Sequence, residues 1–165
     1  MIKKVKPHDN FHALAQLLRE SYADVARDFG LTCENCPTNS AFISDETLKI
    51  QFEEGREYFY FEDGHQKCGF IAIEPSKYDA GLFYIEKVAV HPDSRHKGIG
   101  RQLMDFAAEQ ITERGGQRAS IGLMNANRIL KDWYKGQGFC QTEVKNFAHL
   151  PFEVCLMEKV LSDNQ

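Results

Sequence analysis

Leu82-Phe83-Tyr84-Ile85-Glu86-Lys87-Val88-Ala89-Val90-His91-Pro92-Asp93-Ser94-Arg95-His96-Lys97-Gly98-Ile99-Gly100-Arg101 is the stretch on which the reading of this chain turns. Leu82 to Val90 is apolar and β-branched enough for a strand, and Pro92 halts it. From Ile99, apolar residues recur at Leu103, Phe106, Ala107 and Ile111, a helical spacing that stops at Gly115-Gly116. The segment between them therefore joins a strand to a helix N-terminus. Backbone N–H groups there lack helical partners, and the helix dipole adds positive potential. Gly98 and Gly100 let an anion approach the main chain with no Cβ in the way, while Arg95, Lys97 and Arg101 put positive charge at the rim. The combination suits a diphosphate. By itself it also describes a tight turn carrying solvated basic residues.

Two other phosphate loops are excluded. A P-loop needs a Gly-Lys-Ser/Thr ending, and none follows Gly98 or Gly100. A dinucleotide fingerprint needs three glycines in an early βαβ unit, with an acidic residue after the next strand, and that is missing too.

Working outward, Met1 to Pro7 alternates loosely and reads as an edge strand. Asn10 to about Phe29 carries apolar residues at helical intervals (Leu14, Leu17, Leu18, Val25), with Asp9 or Asn10 to cap it and Gly30 to end it. A second short helix opens at Ser44-Asp45-Glu46 and stops near Gly55. Glu57–Glu62 and Cys68–Glu74 form strands around the hairpin dipeptide Asp63-Gly64. After the central helix come a buried strand over Ser120–Met124, an amphipathic helix over Asn127–Gln137, and closing strands near Phe139–Lys145 and Phe152–Leu161. Hairpins mixed with a helical crossover predict an α+β domain with a mixed sheet.

The chain's 165 residues predict one domain, 1–165, large enough to bury a core. A 42% hydrophobic and 27% charged composition is that of a soluble globular protein. The net charge of −4 disfavours nucleic acid as a partner and is compatible with a cationic acceptor such as an amine. No apolar run approaches membrane length, and the basic start lacks an apolar h-region, so the expectation is no membrane, no signal peptide and the cytoplasm. Five cysteines, an odd number, suit a reducing environment.

Val90-His91-Pro92-x-x-Arg95-x-x-Gly98-Ile99-Gly100-x-x-Leu103-Met104 resembles the acetyl-CoA-binding motif of the GNAT N-acetyltransferases, Arg/Gln-x-x-Gly-x-Gly/Ala. Asn127 followed by Tyr134-x-x-x-Gly138-Phe139 resembles a second segment of that family. The order of elements matches as well. The likeness covers 82–139, and 10–55 corresponds to the variable helical region where such enzymes build acceptor sites. His96 departs from the family's usual glycine, Leu130 from its alanine, and Trp133 from its leucine.

The resemblance implies the acyl-CoA N-acyltransferase fold, a mostly antiparallel mixed sheet flanked by helices, with acetyl-CoA as co-substrate and no metal. It implies that the pyrophosphate lies on the amides of Lys97, Gly98, Ile99, Gly100 and Arg101, in the loop that opens with Arg95 and His96. It implies that the pantetheine arm runs along Val88, Ala89 and Val90, hydrogen-bonded by Asn127, and that Tyr134 protonates the departing thiolate. The chemistry agrees, since transfer to an amine needs a neutral nucleophile, a held oxyanion and a protonated leaving group. Glu86 is the candidate base, with a water chain as its alternative. Strand alternation puts Glu86, Val88 and Val90 on one face, and a core-facing Val88 and Val90 would give Glu86 a buried, pKa-raising setting.

Cys33-x-x-Cys36 lacks a second pair for a zinc site and lacks the βαβ context of a redox motif, so two reduced thiols are expected. His149 can face an acceptor pocket or pack its own loop. The acceptor is a small-molecule or protein amine. A non-catalytic acyl-CoA-binding module and a zinc-dependent interaction domain are the competing functions. The closing strands allow a homodimer without demanding one.

Overall fold

The computed structural model describes residues 1–161. Strand β1 (Ile2–Lys4) leads into α1 (Phe11–Asp28), capped by the Asn10 side chain, which accepts from the Ala13 N–H at 3.1 Å. Gly30, at φ +68°, takes the left-handed turn after it. A 3₁₀ turn at Ser40–Phe42 precedes α2 (Asp45–Glu53), whose cap is Ser44. Strands β2 (Glu57–Asp63) and β3 (Gln66–Pro75) form the hairpin, with Gly64 at φ +64° in its turn. Then follow β4 (Leu82–Val90), a 3₁₀ turn over Pro92–Ser94, α3 (Ile99–Glu113), β5 (Arg118–Met124), α4 (Arg128–Gly136), β6 (Cys140–Asn146) and β7 (Glu153–Val160).

The element order is the one the hydrophobic spacing predicts; only the two 3₁₀ turns, each a single turn without its own apolar period, go unread. Seven strands are ordered β1-β2-β3-β4-β5-β7-β6 in a mostly antiparallel sheet. The parallel step is β4 with β5, in a register that runs from Leu82↔Arg118 to Tyr84↔Ser120.

The chain divides into two compact units. The first comprises Met1–Ile73 and Lys87–Leu103. Its core gathers Leu14, Leu17 and Leu18 of α1 with Leu48, Tyr58, Phe70 and Ala89. A run of rings stiffens it, Phe11 to Phe52 to Tyr58 to Phe70, with centroids 5.2, 5.6 and 5.0 Å apart. The second unit comprises Glu74–Glu86 and Met104 onward. Its buried residues include Phe83, Ile85, Ile111, Ile121, Met157 and Phe139. Both β4 and α3 contribute residues to each unit.

Candidate active site

Strand β4 carries its irregularity at Lys87, whose φ of +53° is left-handed in mid-strand. Phe83, Ile85 and Ala89 are buried, whereas Glu86, Val88 and Val90 are half-buried. The buried residue of the C-terminal half is Ala89, at 4% exposure, while Val88 and Val90, on whose facing the core a buried setting for Glu86 was conditional, are half-buried. The left-handed Lys87 breaks the strand's regular alternation, and beyond it Ala89 joins the buried cluster of Leu14, Tyr58 and Phe70. Two side chains fix the strand's carbonyls. The Tyr22 hydroxyl donates to Val88 O at 2.8 Å and Arg95 Nε donates to Val90 O at 3.2 Å.

At the strand's end His91 caps the 3₁₀ turn, its Nδ1 accepting from the Asp93 N–H at 3.2 Å. With Nδ1 as acceptor, the proton sits on Nε2, 2.9 Å from Glu20 Oε1. Arg95 follows, but its guanidinium does not stand at the rim as the sequence suggests. It pairs with Asp24 at 2.5 Å and donates to the Ser21 carbonyl at 2.7 Å. The Arg95 hydrogen bond holds the Asp24 carboxyl below the usual carboxylate range, and Gln16 and His91 do the same for Glu20. Lys97 and Arg101 are exposed.

His96 and Gly98 both take left-handed backbone, at φ +63° and +80°. The family's preference for glycine at the first of these thus has a conformational cause, and His96 adopts it as an L-residue. Left-handed residues alternating with others make a concave run of amides, an anion nest. A Cβ built on Gly98 would meet nothing within 4 Å, so the main chain is open on that side. Gln102 closes the first helical turn onto the Gly98 carbonyl at 3.1 Å, and the amides before it aim out of the N-terminal end of α3. The loop's exposed amides, nearby cations and open flank fit a diphosphate. Gly69 of β3 sets how closely α3 approaches: a Cβ there would lie 3.0 Å from both Ile99 and Leu103.

In the second unit, Asn127 caps α4, its Oδ1 accepting from the Leu130 N–H at 3.2 Å. The capping bond uses the oxygen end of its amide and leaves the side-chain NH2 as a donor. Tyr134 is 7% exposed, with Trp133 and Phe139 edge-on at 5.0 and 5.8 Å. The Tyr134-x-x-x-Gly138-Phe139 spacing has a local cause. Gly138 turns at φ +97° past the helix end, and Phe139 folds back, its N–H on the Tyr134 carbonyl at 3.1 Å. Burial pushes the phenol pKa above its ordinary 10.

Other candidates are not gathered here. Cys33 is exposed and Cys36 buried, both as free thiols, in a turn closed by Thr32 and Asn35 bonding each other's N–H groups at 2.8 and 3.1 Å. Desolvation raises the Cys36 thiol pKa. His149 is exposed and lies against Phe147. Among the described residues no three His, Cys, Asp or Glu side chains gather as a metal site, and no helix is long and apolar enough to cross a membrane.

Sequence reasoning passed over Glu20, Tyr22 and Asp24. A signal existed: Glu20, Asp24 and Asp28 form an acidic i, i+4, i+8 stripe, self-repelling unless a cation arrives from elsewhere.

A family model described as the acetyltransferase (GNAT) domain matches residues 54–141. The chain is 38% identical over 72 residues to streptothricin acetyltransferase of Streptomyces lavendulae, spanning 44% of this chain and 38% of that protein's length. It is 26% identical over 132 residues to an uncharacterized N-acetyltransferase of Lactobacillus delbrueckii subsp. lactis, covering 73% of each. Its fold is similar to the ribosomal-protein-S18-alanine N-acetyltransferase of Escherichia coli, with TM-score 0.77 and 14% identity over 100% of this chain and 96% of that one. It is also similar to the paia N-acetyltransferase of Thermoplasma acidophilum, solved with coenzyme A, with TM-score 0.74 and 20% identity over 97% and 98%.

Proposed function

The chain belongs to the acetyltransferase (GNAT) domain family, enzymes that draw on acetyl-CoA as co-substrate, and from that premise we propose that it acetylates a primary amine. The amine attacks the thioester carbonyl directly, through a tetrahedral intermediate, and coenzyme A leaves as the thiol. The observation that carries this reading is the pair of left-handed residues, His96 and Gly98, at the start of α3 in the family's motif.

The amides of Lys97 to Arg101 receive the diphosphate, with the Lys97 and Arg101 side chains adding charge. Arg95 contributes its backbone, since its guanidinium is held by Asp24. The backbone of Val88, Ala89 and Val90 lies along the pantetheine arm, and the Asn127 amide donates to a carbonyl of that arm. Glu86, directly or through a water chain, takes the proton that frees the amine lone pair. Tyr134 protonates the departing sulfur. Burial raises the phenol pKa, so the proton donor is the neutral phenol.

The acceptor is a small amine, an amino-acid-like metabolite or a protein amine, consistent with the net charge of −4. A relative supports the amine reading, being named streptothricin acetyltransferase. We place the enzyme in the cytoplasm. A homodimer would form through β6, which ends the sheet and is exposed throughout; antiparallel pairing about Val144 sets Glu143 opposite Lys145 of the second copy.

Calorimetry with coenzyme A, then thiol release across an amine library, tests the proposal. No coenzyme A binding sinks it; binding without thiol release from any amine favours a non-catalytic acyl-CoA-binding module.

A further inference from the structure

Three residues of α1 reach the segment that runs from β4 to α3. The Tyr22 hydroxyl holds Val88 O at 2.8 Å, Glu20 meets His91 Nε2 at 2.9 Å, and Asp24 takes Arg95 at 2.5 Å, with the Ser21 carbonyl accepting from the same guanidinium at 2.7 Å. The contacts fall on four of five consecutive positions of one helix, Glu20 to Asp24, and span the strand end and the loop start. They do more than add surface ion pairs, because of what they fix. The peptide plane between Val90 and His91 is held at both ends: its carbonyl accepts from Arg95 Nε at 3.2 Å, and its N–H donates to Cys68 O at 2.8 Å. The residue after Arg95 is His96, at φ +63°. A non-glycine residue keeps that conformation only where its surroundings over-determine it. Asp24 gives Arg95 a two-pronged anchor, at 2.5 and 3.4 Å, immediately before the strained position.

We propose that Asp24, supported by Glu20 and Tyr22, is a positioning residue: through Arg95 it locks the His96–Gly98 turn in the left-handed form that presents amides to the acetyl-CoA diphosphate, without itself touching the cofactor. The proposal rests on the reading of that loop as the cofactor site. Its consequence is specific. Loosening the anchor weakens cofactor affinity while leaving turnover at saturating acetyl-CoA in place, because the reacting groups are elsewhere.

Calorimetry with coenzyme A on wild type, Asp24→Asn, Glu62→Gln and the double variant Asp24→Asn/His96→Gly separates the outcomes. Glu62→Gln removes the ion pair to Lys3 between the paired strands β1 and β2 and serves as the control for losing a surface salt bridge. Asp24→Asn is expected to weaken binding about tenfold, as loss of a charged hydrogen-bond acceptor does. Adding His96→Gly, which relieves the left-handed strain, restores part of that loss. In steady state, KM for acetyl-CoA rises with kcat held within about twofold. Wild-type affinity in Asp24→Asn overturns the proposal. So does an equal loss in Glu62→Gln, or a loss no larger than the fall in folded fraction seen by circular dichroism. If wild type itself binds no coenzyme A, it is the cofactor reading that fails.

Discussion

The loop from Arg95 to Gly100 and the helix from Asn127 to Gly136 carry their chemistry in opposite ways. In the loop the side chains are exposed or tied down, and what is offered to a ligand is main chain, set by the φ values of His96 and Gly98. In α4 the main chain is satisfied by the helix and its caps, and what is offered is a buried side chain, Tyr134, altered by its apolar setting. The first is sensitive to conformation and the second to composition. Substitutions that keep shape but change a functional group should therefore hurt α4. Substitutions that keep chemistry but change backbone freedom should hurt the loop.

Tyr134→Phe is the largest test of that contrast. It removes one oxygen from a packed ring, so turnover should fall about a hundredfold or more while coenzyme A affinity stays within about threefold. If affinity and turnover fall together, α4 is a binding element and the contrast breaks. The pH profile sharpens it. A phenol raised above 10 adds no alkaline limb near pH 10 to turnover. The stability it contributes is complete below the unfolded phenol's 10 and declines as pH rises through the folded value, which chemical denaturation at high pH would measure.

Gly69→Ala comes next. The methyl would press on Ile99 and Leu103, and overpacking of this kind costs about 2 kcal/mol, readable as a lower denaturation midpoint with weaker coenzyme A binding. Gly98→Ala meets no neighbour, so its cost is backbone strain alone, about 1 kcal/mol, appearing chiefly as weaker binding with turnover at saturation kept. The smallest change is His96→Gly in the otherwise native chain. It relieves left-handed strain but frees the unfolded backbone, a net of about 0.5 kcal/mol in either direction by thermal melting.

Hydrophobic spacing located the elements that bury a continuous face, as Ile99, Leu103, Ala107 and Ile111 do in α3, whereas β6 is exposed throughout and carries no such signal. Capping residues were equally legible at Asn10 and Ser44, and Gly138 at the end of α4. Parity along β4 was not, because an exposed or buried valine reads the same in sequence, and no local signal marks the left-handed turn at Lys87. Nor was the fate of Arg95. Its partner lies on α1, far away in the chain, and only the fold brings Asp24 to it. Asn127 was legible as a polar group at a helix start, yet that its side chain caps α4 through the Leu130 N–H is not something spacing reveals.

Gly69 also bears on transplantation. The hydrogen that stands in place of a side chain on β3 sets how closely Ile99 and Leu103 of α3 approach, and with it where the amides at the start of that helix point. A loop grafted from this protein onto another sheet, sequence intact from Arg95 to Arg101, would ride too high over any bulkier residue beneath it. The portable module is thus discontinuous: the motif and one distant glycine must travel together.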